Sequence, residues 1–207
     1  MKQRNLQLYS IMPLDTEHIE EICEDIRTQY ETGVSTCPLF KMTLVPEGNP
    51  VVNKVDVFCS QYALFRERLL KMGVPSGVLV QASIGHGWAL SEMFPYQRYT
   101  NLTDGEEVNV VCPYDEGFKE YIYNVMKTIA SYKPDTIMVD DDFRLIYRPG
   151  FGCACPMHMK RFNELAKTEL SREELSALVQ SGSEKGKEYF GIFVDTQKKR
   201  LLKRQRL

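Results

Sequence analysis

Short apolar runs alternate with segments whose apolar residues recur at helical spacing, from the start of the chain to about residue 140. The runs predict four strands, over residues 6–12, 38–45, 77–84 and 136–139. Three amphipathic helices are predicted between them. Their apolar faces are Ile19, Ile22, Ile26 and Tyr30 in the first, Val55, Phe58, Tyr62, Phe65, Leu69 and Met72 in the second, and Phe118, Tyr121, Val125 and Ile129 in the third.

Polar residues mark where these helices begin. Asp15 or Thr16 is the expected cap of the first helix, and Asp115 is the expected cap of the third, because a short side-chain oxygen can accept a hydrogen bond from the first free backbone N–H groups. The long segment 85–114 between the third strand and the third helix shows no clear periodicity. We therefore expect it to be irregular.

The remainder of the chain is predicted to be helical. Pro156 suits the first position of a helix. Ser171 and Glu174 have the spacing of a capping box before another apolar face. A last helix is expected from about Ser183 toward the C-terminus.

Strands that alternate with helices are typical of βα units around a parallel sheet. Two closures fit four such units: an open, doubly wound sheet, or part of a (β/α)8 barrel. The glycines of Gly85-His86-Gly87-Trp88 do not form the G-x-G-x-x-G turn of dinucleotide-binding sheets. This favours a partial, half TIM-type barrel, with residues 1–207 as a single α/β domain and 153–207 as a helical extension.

The amino-acid composition and net charge of the chain argue against nucleic acid and membranes as partners. Apolar residues make up 43% and charged residues 26% of the chain, which is typical of a folded globular protein. The net charge is −2, so no overall positive field favours nucleic acid. No apolar run reaches the roughly 18 residues of a membrane span, and no secretory signal is recognisable. We therefore expect a cytoplasmic protein that binds neither nucleic acid nor membrane.

The cysteines suggest a metal. Six cysteines in a chain of 207 residues favour reduced thiols or metal ligands over a disulfide framework. Cys153, Cys155 and His158 lie within six positions, and Cys112 is a candidate fourth ligand. Four such ligands would form a closed, structural zinc site without a place for a catalytic water. The alternative is a set of unrelated thiols beside a surface histidine.

Carboxylates follow the fourth strand. Asp140, Asp141 and Asp142 are consecutive, and Arg144 is close enough in sequence to pair with them. Catalytic groups of βα barrels lie at this end of the strands, where a carboxylic acid with a raised pKa can protonate a glycosidic oxygen. A solvated acidic turn is the alternative interpretation.

A third candidate site follows the third strand. Trp88 is the only tryptophan of the chain, and its ring could stack on a sugar. His86 could donate a hydrogen bond to a sugar hydroxyl. The alternative is an aromatic residue that packs beside a turn.

Together these segments resemble the first half of the catalytic barrel of glycoside hydrolase family 42-type β-galactosidases. The similarity is strongest from Val111 to about Leu170, through Val111-Cys112-Pro113-Tyr114, Val139-Asp140-Asp141-Asp142-Phe143 and Cys153-Ala154-Cys155-Pro156-Met157-His158. The resemblance implies a structural zinc at Cys112, Cys153, Cys155 and His158, where His158 occupies a position that is usually cysteine.

The resemblance also implies a carbohydrate substrate. The family ends its fourth strand with Asn-Glu, and the glutamate is the general acid/base; Asp141 and Asp142 occupy these positions here. Asp142 is then the candidate acid/base and Asp141 its catalytic neighbour, with Asp140, Arg144, His86 and Trp88 as substrate contacts. The family's nucleophile lies on strand seven, outside the segment that this chain matches, so the chain is expected to be incomplete as a catalyst.

Two other functions remain open from the sequence: a non-catalytic carbohydrate-binding module, and a zinc-stabilised interaction or assembly domain. With any of these functions we expect self-association as a homodimer or larger oligomer, because an open half-barrel exposes long apolar sheet edges.

Overall fold

The computed structural model describes residues 6–85, 89–90, 92–140, 145–148 and 150–203, without the side chains of 147 and 198–203. Its strands are β1 (Tyr9–Met12), β2 (Cys37–Thr43), β3 (Gly77–Gln81), β4 (Arg98–Thr100), β5 (Glu107–Val111) and β6 (Thr136–Val139). Its α-helices are α1 (Ile19–Glu31), α2 (Val55–Lys71), α3 (Glu116–Ser131), α4 (Pro156–Ala166), α5 (Arg172–Gln180) and α6 (Glu184–Lys203). None of these helices is both long enough and apolar enough to cross a bilayer.

The chain divides into two compact units. The first unit comprises Met1–Pro46, Val51–Ser83 and Tyr121–Asp140, and the second comprises Glu47–Pro50, Ile84–Glu120 and Asp141–Leu207.

A four-stranded parallel sheet forms the centre of the first unit. Its strands lie in the order β1-β2-β3-β6, and every neighbouring pair is parallel. The sequence-based prediction of a mixed α/β fold around a parallel sheet is therefore confirmed. The observed bounds of β6 are the predicted ones, whereas β1, β2 and β3 each end earlier or begin later than their apolar runs.

Helices cover one face of this sheet because its alternate residues are apolar. Phe40 and Met42 of β2 and Val78 and Val80 of β3 belong to one buried cluster with the apolar faces of the three helices. The Phe40 ring packs on Tyr62 and Phe65 of α2, with ring centroids 5.7 and 4.7 Å apart. Most of the predicted apolar positions of these helices belong to this cluster, but Tyr30 and Met72 are exposed and Phe118 is not part of it.

The opposite face of the sheet carries a second set of side chains. Cys37, Leu39 and Leu79 are buried there, and Met138 packs against them. Gly77 allows this part of the sheet to close tightly, because a Cβ atom on it would lie 2.6 Å from the Thr136 carbonyl oxygen and 2.7 Å from a Leu39 methyl group.

The predicted cap of α1 is wrong. The helix begins at Ile19 with His18 as its N-cap residue, later than a cap at Asp15 or Thr16 implies. Asp15 instead accepts hydrogen bonds from the Glu17 N–H (3.0 Å) and from His18 Nδ1 (2.8 Å). A local aspartate turn thus competes with the helix and delays its first residue.

The second unit contains a hairpin in the segment that was expected to be irregular. Strands β4 and β5 pair antiparallel, with a register shift between Arg98 and Tyr99. Asp104 and Gly105 form the turn, since Asp104 accepts a hydrogen bond from the Glu106 N–H (2.8 Å) and Gly105 has a φ of +79°. The expectation of irregular structure is therefore wrong for this part of the segment.

The helices that follow this hairpin begin where the sequence predicts. Asp115 accepts a hydrogen bond from the Phe118 N–H (2.9 Å) at the start of α3. Pro156 is the first residue of α4. Ser171 and Glu174 form both bonds of the capping box before α5. A buried cluster that includes Phe162, Leu175 and Phe193 joins α4, α5 and α6.

Candidate metal centre

Cys112 is the first residue after β5. Its backbone N–H donates to the Gln97 carbonyl (2.8 Å), and its own carbonyl accepts from the Asp115 N–H (3.0 Å). These bonds hold the turn between the hairpin and α3. The turn also directs the Tyr114 N–H toward the Cys112 sulfur, 3.4 Å away.

Cys153 lies at the end of a tight loop. Gly150, Phe151 and Gly152 have φ angles of +82°, +61° and +117° in succession. Two of these positions need glycine, because a Cβ on Gly150 would lie 2.4 Å from the Asn101 Cβ and one on Gly152 would lie 2.8 Å from the Phe193 ring. The loop brings Cys153 into a β-bridge with Asn101.

Cys155 and His158 belong to the start of α4. Cys155 is the N-cap residue and Pro156 is the first helical residue. His158 is therefore the third helical residue, at the spacing at which a capping-box partner returns to the cap. Proline fixes the backbone at this helix start, so the thiol and the imidazole are brought together by local geometry.

These three segments bring four candidate ligands into one buried cluster. The three sulfur atoms and a ring nitrogen all lie within 4.8 Å of one another, and all four residues are fully buried. Cys112 Sγ lies 3.3 Å from His158 Nδ1 and 3.4 Å from Cys155 Sγ. Cys155 Sγ lies 3.5 Å from the same Nδ1. The sequence-based assignment of these four residues to one cluster agrees with their placement.

Burial and mutual hydrogen bonding shift the pKa values of these thiols in opposite directions. Burial raises the pKa of Cys153 well above the usual value of a thiol. Hydrogen bonds from the thiols of Cys112 and Cys153 lower the pKa of Cys155 far below it. Three buried thiolates this close together would repel one another.

A divalent cation would offset the repulsion between these thiolates. A tetrahedral Zn²⁺ with Zn–S of about 2.3 Å and Zn–N of about 2.0 Å has donor–donor edges of about 3.5–3.8 Å. Among Cys112, Cys155 and His158 the observed separations are 3.3–3.5 Å, close to those edges, and the Cys153 sulfur lies within 4.8 Å of the other three donors. The donors therefore fit a metal such as zinc, and four protein donors leave no open coordination position.

Neither a family model, nor a curated protein, nor a solved structure matches this chain.

Positive partial charges lie next to the four candidate ligands, where they would stabilise the net negative charge of a zinc-bound site. Three thiolates, a neutral imidazole and Zn²⁺ sum to one negative charge. The N-terminus of α4, which carries positive partial charge, begins at Cys155. The Tyr114 N–H reaches the Cys112 sulfur, and the Tyr114 ring packs on the His158 ring with centroids 4.3 Å apart. Nε2 of His158 is buried and has no hydrogen-bond partner among the described residues.

Sequence reasoning missed Gln197 of α6, which is buried beside Cys153. Its amide forms two hydrogen bonds with the Cys153 backbone, N–H to Oε1 at 3.2 Å and Nε2 to carbonyl at 3.0 Å. A single glutamine 44 residues away along the chain belongs to no motif, so no pattern could have identified it.

Of the three aspartates of the acidic candidate site, Asp140 is the one that the structure describes, and it lies at the end of the parallel sheet. Asp140 follows β6, and its Oδ2 accepts a hydrogen bond from Gln81 Nε2 (2.8 Å) at the end of β3. Thr43, the last residue of β2, is in register with Gln81. Asp141, Asp142, Arg144, His86 and Trp88, the other predicted site residues, lie outside the described residues.

Proposed function

We propose that the second unit is a zinc-stabilised unit in which Cys112, Cys153, Cys155 and His158 hold one structural Zn²⁺. The observation that carries this proposal is the burial of three sulfurs and one imidazole nitrogen within 4.8 Å of one another. Zn²⁺ takes such donors in closed tetrahedral sites, and its binding free energy then contributes directly to folding. The ion links the end of β5, the loop before Cys153 and the start of α4.

A native mass spectrum of the purified protein, recorded after incubation with Zn²⁺ and removal of the excess, tests this proposal. We expect one zinc per chain. A chain that remains metal-free under these conditions would contradict the zinc centre.

A second candidate function concerns carbohydrate. We propose that the chain is a half-barrel of the glycoside hydrolase family 42 type, which acts on or binds a sugar at the carboxyl edge of its parallel sheet. The strand order β1-β2-β3-β6 supports this, because it follows the chain without the reversal of a doubly wound sheet. Thr43, Gln81 and Asp140 place a hydroxyl, an amide and a carboxylate at the edge where α/β enzymes bind ligands.

Hydrolysis of a nitrophenyl β-galactoside tests this second function. If Asp142 is the general acid/base, Asp142→Asn lowers turnover about 10²–10⁴-fold. The control Asp25→Asn, in α1, leaves turnover unchanged. Sugar binding that survives Asp142→Asn without any turnover by the unmodified protein would favour the non-catalytic carbohydrate-binding module. Turnover that is the same with Asp142→Asn would contradict the catalytic role.

Self-association is part of the same proposal. Within the described residues, β1 and β6 each pair with one strand only, and Ile11 and Val139 expose 62% and 45% of their surfaces. Unpaired strand edges with exposed apolar residues favour association. We propose a second copy of this chain as the partner, and the subunit number in the same native mass spectrum tests it: a dimer or larger oligomer supports the proposal and a monomer contradicts it.

A further inference from the structure

The side-chain amide of Gln197 forms a pair of hydrogen bonds with the backbone of Cys153, in the way that a neighbouring β-strand would. Its Oε1 accepts from the Cys153 N–H (3.2 Å), and its Nε2 donates to the Cys153 carbonyl (3.0 Å). Its Nε2 also lies 3.2 Å from Thr196 Oγ1. Both polar atoms of the Gln197 amide therefore have hydrogen-bond partners. The amide in turn fixes the position and orientation of the backbone at Cys153.

The neighbouring residue of α6 makes a second link to the cluster. The Tyr114 hydroxyl donates to the Thr196 carbonyl (2.8 Å). Tyr114 in turn donates its backbone N–H to the Cys112 sulfur (3.4 Å) and packs its ring on His158. Thr196 thus acts through Tyr114 on Cys112 and His158, and Gln197 acts on Cys153. Together these two consecutive residues of α6 help to orient three of the four candidate ligands.

The other side of the Cys153 segment is bound to β4 and the residues that follow it. The Ala154 N–H donates to the Thr100 carbonyl (2.7 Å), and the Leu102 N–H donates to the Gly150 carbonyl (2.9 Å). The Gln197 amide therefore completes the pairing of a segment that has backbone partners on its other side. Because Cys153 is fully buried, loss of the amide would leave its N–H and carbonyl without partners.

We propose that Gln197 is a positioning residue of the metal centre, and that docking of α6 and binding of Zn²⁺ are coupled through it. This inference rests on the zinc centre proposed above. Groups that do not contact the ion but orient its ligands raise the affinity for the metal, because the ligands are already in place when the ion binds. Coupling is reciprocal, so an ion that binds more tightly when α6 is docked also holds α6 in place.

The test compares Zn²⁺ affinity in two variants of α6, by competition with a chromophoric chelator. Gln197→Met keeps the length and the volume of the side chain and removes both hydrogen bonds. Lys187→Met is the matched control, because Lys187 is exposed on α6 and its amine donates to Glu184. We expect Gln197→Met to weaken zinc binding about 10–100-fold, the range found for such supporting residues. The control should bind zinc as the unmodified protein does.

The outcomes separate this inference from the zinc centre. Equal affinity of Gln197→Met and the unmodified protein would overturn the role of Gln197 while leaving the centre intact. Absence of zinc binding by the unmodified protein would overturn both proposals.

Hydrogen exchange of the unmodified protein tests the coupling without any variant that must fold. Removal of zinc by a chelator should reduce amide protection along α6 as well as around Cys155. Unchanged protection of α6, with loss of protection confined to the ligand segments, would overturn the coupling.

Discussion

Replacing Cys155 by alanine is expected to abolish zinc binding and to lower the unfolding temperature of the protein sharply. A ligand that binds only the folded state stabilises it by about 4 kcal/mol when its free concentration is about 1,000 times Kd. One kcal/mol corresponds to about 2–4 °C for a chain of this size, so the expected loss is about 8–16 °C in zinc-containing buffer. Calorimetry with and without zinc measures it.

The chain provides its own control for this experiment. Cys59 is buried in the helix-covered core of the first unit, where burial raises its pKa to about 11 and keeps the thiol neutral. Cys59→Ala removes a buried thiol but no ligand. It should lower stability modestly and leave the zinc-dependent shift unchanged. Retention of that shift in Cys155→Ala, or its loss in Cys59→Ala, would contradict the assignment of the ligands.

Replacing Gly150 by alanine is expected to have the second large effect. The left-handed backbone of Gly150 costs a residue with a Cβ about 1–2 kcal/mol, and overlap in a packed site adds about 1–3 kcal/mol, about 2–5 kcal/mol together. The overlap arises because the new Cβ would lie 2.4 Å from the Asn101 Cβ. Since this loop carries Cys153 into the cluster, zinc affinity should fall as well. Denaturant unfolding and chelator competition measure the two effects.

Gly182→Ala separates the two causes. Gly182 also has a positive φ, +66°, but no atom lies within 4 Å of the position that its Cβ would occupy. This control should carry only the backbone cost of about 1–2 kcal/mol. It should also leave zinc affinity unchanged. If both alanine variants were equally stable, the close approach of the loop to Asn101 would not be part of the structure in solution.

The parallel sheet and its helices could be predicted because their periodicities are strong. The apolar face of α2 buries one side, so hydrophobic spacing alone locates that helix, whereas β6 was located by its short apolar run although none of its residues is fully buried. The β4–β5 hairpin escaped prediction because β4 has three residues, too few for an alternating pattern. The connection between the two strands, residues 101–106, is longer than the two-residue turn for which an Asp-Gly pair is a strong signal.

The ligand set could be predicted only in part from local sequence. Cys155 and His158 are joined by one helix start, so their spacing already brings them together. Cys112 is about 40 residues away, and the resemblance to the glycosidase family supplied that link. Gln197 was beyond prediction, because its role depends on how α6 packs, which no short pattern encodes.

Zinc K-edge X-ray absorption on the purified, zinc-loaded protein tests the central claim most directly, because it reads the donor atoms around the ion. The proposed centre predicts three sulfur atoms at about 2.3 Å and one nitrogen atom at about 2.0 Å. A first shell made of oxygen and nitrogen, or one with fewer than three sulfurs, would show that Cys112, Cys153, Cys155 and His158 do not hold the ion together.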